Sequence, residues 1–212
     1  VFHAGDISDG WKVYKHHHQQ LKPDAIGWDN LREYVVENYP ERNGIDTYFI
    51  TGNHDYKLWK RSGIYFGQEL DERRNDLHWL GAMEATILFD EESNVDLELI
   101  HPSGGSPYTL GYRAQTLYRE RPPEDRPTLG AIGHLHGRMQ ANAEGVESFY
   151  TGCWQGPTPY VKRKGLPSEI GGWIVELEIE ESELRKIGTE WISYEVTDHA
   201  SNNYTATDLT DL

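Results

Sequence analysis

The 212-residue sequence lacks features that several protein classes require. Its single cysteine, Cys153, excludes an intramolecular disulfide and is typical of a reducing compartment. No run approaches the roughly 20 apolar residues that a membrane helix needs, and the glycines follow no collagen-like period. We therefore expect a globular, cytoplasmic protein that does not bind a membrane.

Positive charge is also scarce: the sequence has 20 Lys and Arg against 35 Asp and Glu, which gives a net charge of −15. About half of that negative charge lies in residues 176–212, which contain ten acids and two bases. Such acidity argues against the broad basic face of a duplex-binding protein, but leaves open a narrow nucleic-acid site built around metal ions. The one dense basic cluster, Lys162-Arg163-Lys164, is either a solvated loop or a contact for substrate phosphates.

Short apolar runs alternate with amphipathic segments, which predicts an α/β fold. Strands are expected at 1–4, 46–51, 85–89, 95–100, 129–132, 146–151, 173–179 and 190–196, and helices at 29–38 and 111–120. Segments 10–28, 56–76 and 101–111 are predicted to be long loops. We expect one domain over residues 1–196, followed by a polar, disordered tail over 197–212.

Four apolar runs each end in side chains that can bind a metal, mostly beside a glycine. The segments are Gly5-Asp6-Ile7-Ser8-Asp9, Gly52-Asn53-His54-Asp55, His101-Pro102 and Gly133-His134-Leu135-His136-Gly137. Because the carboxyl ends of strands converge on one edge of an α/β sheet, we expect five of these side chains to meet there, namely Asp6, Asn53, His101, His134 and His136. Carboxylate, amide and imidazole groups suit Mn, Fe or Zn better than copper or an iron–sulfur cluster. An extended segment at 134–136 would place both imidazoles on the same side.

The order GDxxD, GNHD, H and GHxH resembles the calcineurin-like metallophosphoesterase superfamily from Phe2 to about residue 175. Two further segments, His101-Pro102-Ser103-Gly104-Gly105 and Gly171-Gly172-Trp173, resemble its phage and prokaryotic members. The resemblance implies a four-layer αββα sandwich, in which two β-sheets are flanked by helices. That superfamily also has an Asp-x-His motif at the end of its first strand, and none precedes Asp6. We therefore interpret the sequence as N-terminally truncated, without the first strand and helix, and expect these residues alone to be weakly active or inactive.

The resemblance also implies a ligand set for two divalent metal ions. Asp6 would bridge the ions, Asn53, His101 and His134 would bind the second, and His136 would bind the first. Manganese is the expected metal, with Fe, Zn, Ni and Mg as alternatives.

Residues around this ligand set are implied to carry the chemistry. His54 would protonate the leaving oxygen or steady the phosphate, Asp55 would hold the His54 tautomer, and Asp9 would anchor its own loop. The implied activity is hydrolysis of a phosphate ester by water activated between two metal ions. The protein phosphatases of the superfamily have Arg-Gly where Gly10-Trp11 follows Asp9, and Glu where Asp55 ends GNHD. This difference favours a phosphodiester, in a nucleotide or nucleic acid; the alternative is a non-catalytic scaffold or an accessory subunit of a polymerase or nuclease.

The remaining candidates are weaker. Arg113 follows the His101 segment and is a further candidate substrate contact, beside the 162–164 cluster. His16-His17-His18 is interpreted as a loop that binds metal only adventitiously. Four aromatic residues in predicted loops can stack on a base, although packing is the more frequent role: Trp11, Trp59, Trp154 and Tyr160.

Overall fold

The computed structural model describes residues 1–15, 17, 21–89, 94–105 and 107–195, and the predicted tail at 197–212 lies outside them. The helices are α1 (Trp28–Asn38), α2 (Tyr56–Ser62), α3 (Phe66–Asp71), α4 (Leu110–Arg119) and α5 (Pro159–Lys164). The strands are β1 (Phe2–Ala4), β2 (Thr47–Thr51), β3 (Leu77–Ala82), β4 (Glu84–Leu88), β5 (Asp96–Ile100), β6 (Leu129–Ile132), β7 (Arg138–Ala143), β8 (Val146–Thr151), β9 (Gly171–Glu180) and β10 (Glu183–Ser193).

The strands form two sheets and a hairpin. Strands β1, β2 and β3 pair in parallel, in that order. The second sheet has the order β4-β5-β6-β8-β7, with three parallel central strands and an antiparallel strand at each edge. Strands β9 and β10 form a long antiparallel hairpin.

Three apolar clusters stack these elements into layers. Helices α1 and α3 cover one face of the three-stranded sheet, where Phe49 is fully buried. Its neighbour Ile50 points to the opposite face and packs against Leu99 of the second sheet, together with residues of the β9–β10 hairpin. Helix α4 covers the far side of the second sheet through Tyr118. Burying each such side chain stabilises the fold by about 1.5–3 kcal/mol.

The resulting order of layers is helix, sheet, sheet, helix, which confirms the predicted αββα sandwich. The absence of a first strand and helix stays a prediction. None of the helices in the described part of the chain has the length and apolar character that a membrane crossing requires.

The predicted loop at 56–76 is wrong, because it contains α2 and α3. Gly63 divides the two, adopting a left-handed conformation (φ 73°) that ends α2. Each helix is therefore too short for its apolar residues to show a helical period. Strands β3 and β7 and helix α5 were also not predicted from the sequence.

Candidate metal centre

The four predicted metal-binding segments follow four strand ends that meet where the two sheets adjoin. Asp6 comes after β1 and Asn53 after β2, in the first sheet, whereas His101 follows β5 and His134 follows β6, in the second. One ligand atom from each of Asp6, His101 and His134 lies within 4.8 Å of the others, the one such group found among the described residues. The predicted convergence of strand ends therefore brings ligands from both sheets together.

Asn53 completes this group through His101. The Nε2 atom of His101 lies 2.9 Å from Asn53 Oδ1 and 3.2 Å from Asp6 Oδ2. The ligand atoms of one divalent ion stand roughly 3–4.2 Å apart when each is about 2.1 Å from the metal. The spacing of Asp6, His101 and His134, with Asn53 next to His101, therefore fits one ion after small side-chain movements.

Hydrogen bonds to backbone carbonyls set the tautomers of both histidines. His101 donates from Nδ1–H to the Ala4 carbonyl oxygen, 2.9 Å away, so that in the neutral ring Nε2 carries the lone pair. His134 donates from Nε2–H to the Gly104 carbonyl oxygen, 2.7 Å away, which leaves Nδ1 as its lone-pair nitrogen. With neutral His101, lone pairs on nitrogen, carboxylate and amide oxygen face one another at about hydrogen-bond distance. The Asp6 carboxylate and the His101 lone pair need a proton or a cation between them, so this ligand set fits a divalent metal.

The close contacts within this group shift the pKa values of Asp6 and His101. Burial alone would raise the pKa of Asp6, but the adjoining His101 and His54 hold it well below its usual range. Burial likewise opposes protonation of His101, whose pKa is nevertheless raised, chiefly by the charge of Asp6. The charged forms of Asp6 and His101 therefore stabilise each other at this distance.

The motif glycines allow the close approach of these segments. A Cβ atom on Gly52 would overlap Asp6 Oδ1 and stand 2.6 Å from His101 Cε1. A Cβ on Gly5 would overlap His101 Nδ1, and one on Gly133 would overlap the Ala4 carbonyl oxygen. At these three positions any larger residue displaces a ligand or the backbone that orients it.

The segment at 134–136 is not extended, although an extended segment was the condition for placing both imidazoles on the same side. His134 and His136 both have positive φ angles, 71° and 52°, and Asp6 has one of 54°. Such conformations cost non-glycine residues about 1–3 kcal/mol and cluster at functional sites. His136 lies outside the compact group, but it is half-buried and within electrostatic reach of Asp6, while burial lowers its pKa.

His54 lies beside the group and is oriented by Asp9. Its Nδ1–H donates to the Asp9 carbonyl oxygen at 2.9 Å and lies 3.3 Å from Asp9 Oδ1, so Nε2 is the nitrogen left to face a substrate. Burial would lower the pKa of His54, but the contact with Asp9 and the charges of Asp6 and Asp9 raise it to about 9. The contact with Asp9 therefore both orients the imidazole and favours its protonated form.

The roles expected for Asp55 and Asp9 must be corrected. The Asp55 carboxylate is buried and accepts hydrogen bonds from Ile7 N, Ser8 N, Ser8 Oγ and Gly52 N, at 3.1, 3.1, 2.6 and 3.1 Å. It therefore ties the Asp6 loop to the start of the next motif, and the carboxylate that contacts His54 is that of Asp9. Burial and the charge of Asp6 raise the pKa of Asp55 to about 6, against its four donors.

Sequence reasoning missed His17, which is fully buried and supports Asp9 from the other side. His17 Nδ1 accepts from the Val13 N–H at 3.3 Å, so Nε2–H donates to Asp9 Oδ2 at 3.0 Å. Burial would raise the pKa of Asp9, but the hydrogen bonds from His17 and His54 lower it to about 2. Nothing in a run of three histidines singles out the middle one, because its burial depends on how the loop folds back.

The candidate substrate contacts divide into two kinds. Arg113 donates from Nη2 to the Ser103 carbonyl oxygen, so it braces the loop whose Gly104 orients His134. The three basic residues of the other candidate, Lys162, Arg163 and Lys164, are exposed on α5. Neither set belongs to the ligand group itself.

Comparison with known proteins adds structural similarity only. No protein-family model and no curated protein matches this chain. A Thermotoga maritima protein of known solution structure is similar over 70% of this chain and 80% of its own, with 15% identity and a TM-score of 0.35. A single-residue variant of Vps29 from Entamoeba histolytica is similar over 88% of this chain and 97% of its own, with 12% identity and a TM-score of 0.40. At these scores neither similarity bears on function.

Proposed function

We propose that this chain is a metal-dependent phosphoesterase that hydrolyses phosphodiesters. The observation that carries the proposal is the convergence of Asp6, Asn53, His101 and His134 on one point, with His54 beside them. A divalent ion held there would polarise a phosphoryl oxygen and lower the pKa of bound water. A second ion would take Asp6 and His136, and manganese is our first choice for both.

The chain's own residues supply positioning and proton transfer. Asp9 fixes the ring of His54, and the backbone N–H of His54 donates to Asp6 Oδ1 at 2.8 Å, so the orientation of the imidazole is coupled to that of the ligand. From this position His54 Nε2 can hold a proton for the leaving oxygen. The side chain of His54 is a quarter exposed, which leaves it accessible to substrate.

The leaving group provides the test. A p-nitrophenolate departs without a proton, whereas the alcohol of a dinucleotide needs one. We expect Mn²⁺-dependent hydrolysis of both bis(p-nitrophenyl) phosphate and a dinucleotide, abolished by EDTA, which is weak with these residues alone and stronger with a form extended to include the Asp-x-His motif. Replacing His54 with Asn should lower kcat/KM for the dinucleotide by about 10²–10⁴, and for the nitrophenyl ester much less.

His78→Asn is the matched control. His78 is a partly exposed histidine, 3.9 Å from Asp46, and it lies at the start of β3, whereas the metal-binding segments follow the ends of their strands. Equal losses on both substrates would contradict proton donation by His54. Metal binding without hydrolysis of either substrate by the extended form would contradict the enzyme and favour a binding subunit.

A further inference from the structure

The basic residues of this acidic protein are concentrated around the candidate metal centre. Segments 10–15, 56–62 and 159–164 contain eight of the 20 Lys and Arg and none of the 35 Asp and Glu. We call these eight the basic rim: Lys12, Lys15, Lys57, Lys60, Arg61, Lys162, Arg163 and Lys164. All are exposed except Lys57, which is half-buried, and none forms an ion pair with a carboxylate in the described part of the chain.

The three segments form one surface beside His54. Helix α2 begins two residues after His54, and segment 10–15 directly follows Asp9, which holds that imidazole. Arg61 Nη2 donates to the Lys12 carbonyl oxygen at 3.1 Å, which joins α2 to this segment. On the other side Tyr14 stacks on Tyr160 of α5, with ring centroids 5.4 Å apart. The basic rim therefore runs from α2, across segment 10–15, to α5.

Aromatic rings accompany the charges. Trp59 on α2 is 37% exposed and Tyr160 on α5 is 41% exposed, and each is backed by another ring. Trp59 stacks on Tyr56 with centroids 4.9 Å apart and planes 13° apart. Cations that track a phosphate backbone, together with rings on which bases stack, are how proteins bind single strands without reading sequence.

We propose that the substrate is a single-stranded nucleic acid that lies along the basic rim, with one phosphodiester at the metal centre. Eight cations over three segments exceed what one phosphate of a mononucleotide requires. Exposed rings can stack only on bases that a duplex hides. The inference rests on the proposed function for the cleavage step, but strand binding can be measured without it.

The test is fluorescence anisotropy of labelled strands with the full chain in EDTA, between about 50 and 200 mM NaCl. Oligothymidylate and oligouridylate of about 20 nucleotides distinguish DNA from RNA as the source of the strand. The key variant replaces Lys162, Arg163 and Lys164 with Ala. We expect at least about tenfold weaker binding at 0.1 M salt, and a slope of log K against log salt that is smaller by about 2, since each phosphate contact contributes about 0.7.

A matched charge control replaces Arg42, Arg185 and Lys186 with Ala. Arg42 precedes β2, at the end of that strand away from the metal centre. Arg185 and Lys186 lie close to the turn of the β9–β10 hairpin, and this turn contacts Asn94 before β5, again at the end away from the metal centre. This control should bind the strand like the wild type. An equal loss in both triple variants, or equal affinity for a duplex of the same length, would overturn the inference.

The aromatic part has its own pair of variants. Tyr160→Ala should weaken single-strand binding at least about fivefold, the lower end of base stacking on a ring. Tyr48→Ala is the control, because Tyr48 is 38% exposed and stacks on His78 at the start of β2. Equal effects of the two variants would contradict stacking on the basic rim.

The two proposals fail separately. Hydrolysis of bis(p-nitrophenyl) phosphate, with strand binding independent of the basic rim, would overturn the inference and leave the phosphoesterase. Strand binding that depends on the basic rim, without any metal-dependent hydrolysis, would support the strand surface and overturn the enzyme.

Discussion

The reassignment of Asp55 predicts that its removal damages stability before it damages chemistry. The carboxylate is 1% exposed and satisfies four donors, three of them backbone N–H groups that a neighbouring side chain cannot replace. A hydrogen bond to a charged group is worth about 1.5–3 kcal/mol, and unpaired buried donors cost about 1–3 kcal/mol each. Because water can enter the space left by Asp55→Ala, we expect a total loss of about 3–5 kcal/mol. The corresponding fall in Tm is about 6–20 °C.

The assay is urea unfolding followed by tryptophan fluorescence in EDTA, so that metal binding does not contribute. Asp55→Asn should also lower the free energy of unfolding. Each carboxylate oxygen of Asp55 accepts from two donors, and in Asn one of those oxygens is replaced by an NH2 group that cannot accept. Asp9→Ala is the comparison, since Asp9 contacts two imidazoles and has a side chain that is 20% exposed, so its loss costs less. A free energy of unfolding for Asp55→Ala within about 1 kcal/mol of wild type would refute the anchoring role.

Three further predictions concern other residues. His17→Phe should lower kcat about tenfold with KM little changed, because Asp9 loses the donor that positions it, and His17→Gln should restore part of the loss. Gly52→Ala should weaken Mn²⁺ binding at least about tenfold by calorimetry, because its Cβ overlaps Asp6, whereas Gly111→Ala, which meets open space, should not. Burial lowers the pKa of His3 to about 4, so the unfolded chain binds more protons between about pH 4 and 6.5. The stability of wild type relative to His3→Phe should therefore rise with pH across that window, by up to about 3 kcal/mol in urea titrations, and a flat difference would contradict the burial of a neutral His3.

Short apolar runs and the order of the motifs predicted much of the fold. Strands β1, β2, β5 and β6 each end where a metal-binding side chain follows, so the sandwich and the meeting of its ligands could be anticipated. Elements with a weak apolar pattern could not be predicted. In strand β7 the inward-facing positions hold Met139 and otherwise only alanine, which gives a weak apolar pattern. Helix α5 has six residues and one buried side chain, Val161.

The partners of the charged side chains were the least predictable feature. Asp9 and Asp55 both follow a motif glycine by a few residues, and the spacing alone suits either to contact His54. The choice is made by where the backbone N–H groups of Ile7, Ser8 and Gly52 point, which depends on the loop conformation around Asp6 and its positive φ. For the same reason the burial of His17 follows from the path of its loop and not from its sequence.

The most direct test of the central claim is a crystal structure of the chain soaked in Mn²⁺, with anomalous scattering recorded to locate the ion. The account predicts a peak within about 2.5 Å of ligand atoms from Asp6, Asn53, His101 and His134, bound through Nε2 of His101 and Nδ1 of His134. Ions held only at other places, or no ion at a concentration that supports hydrolysis, would contradict it.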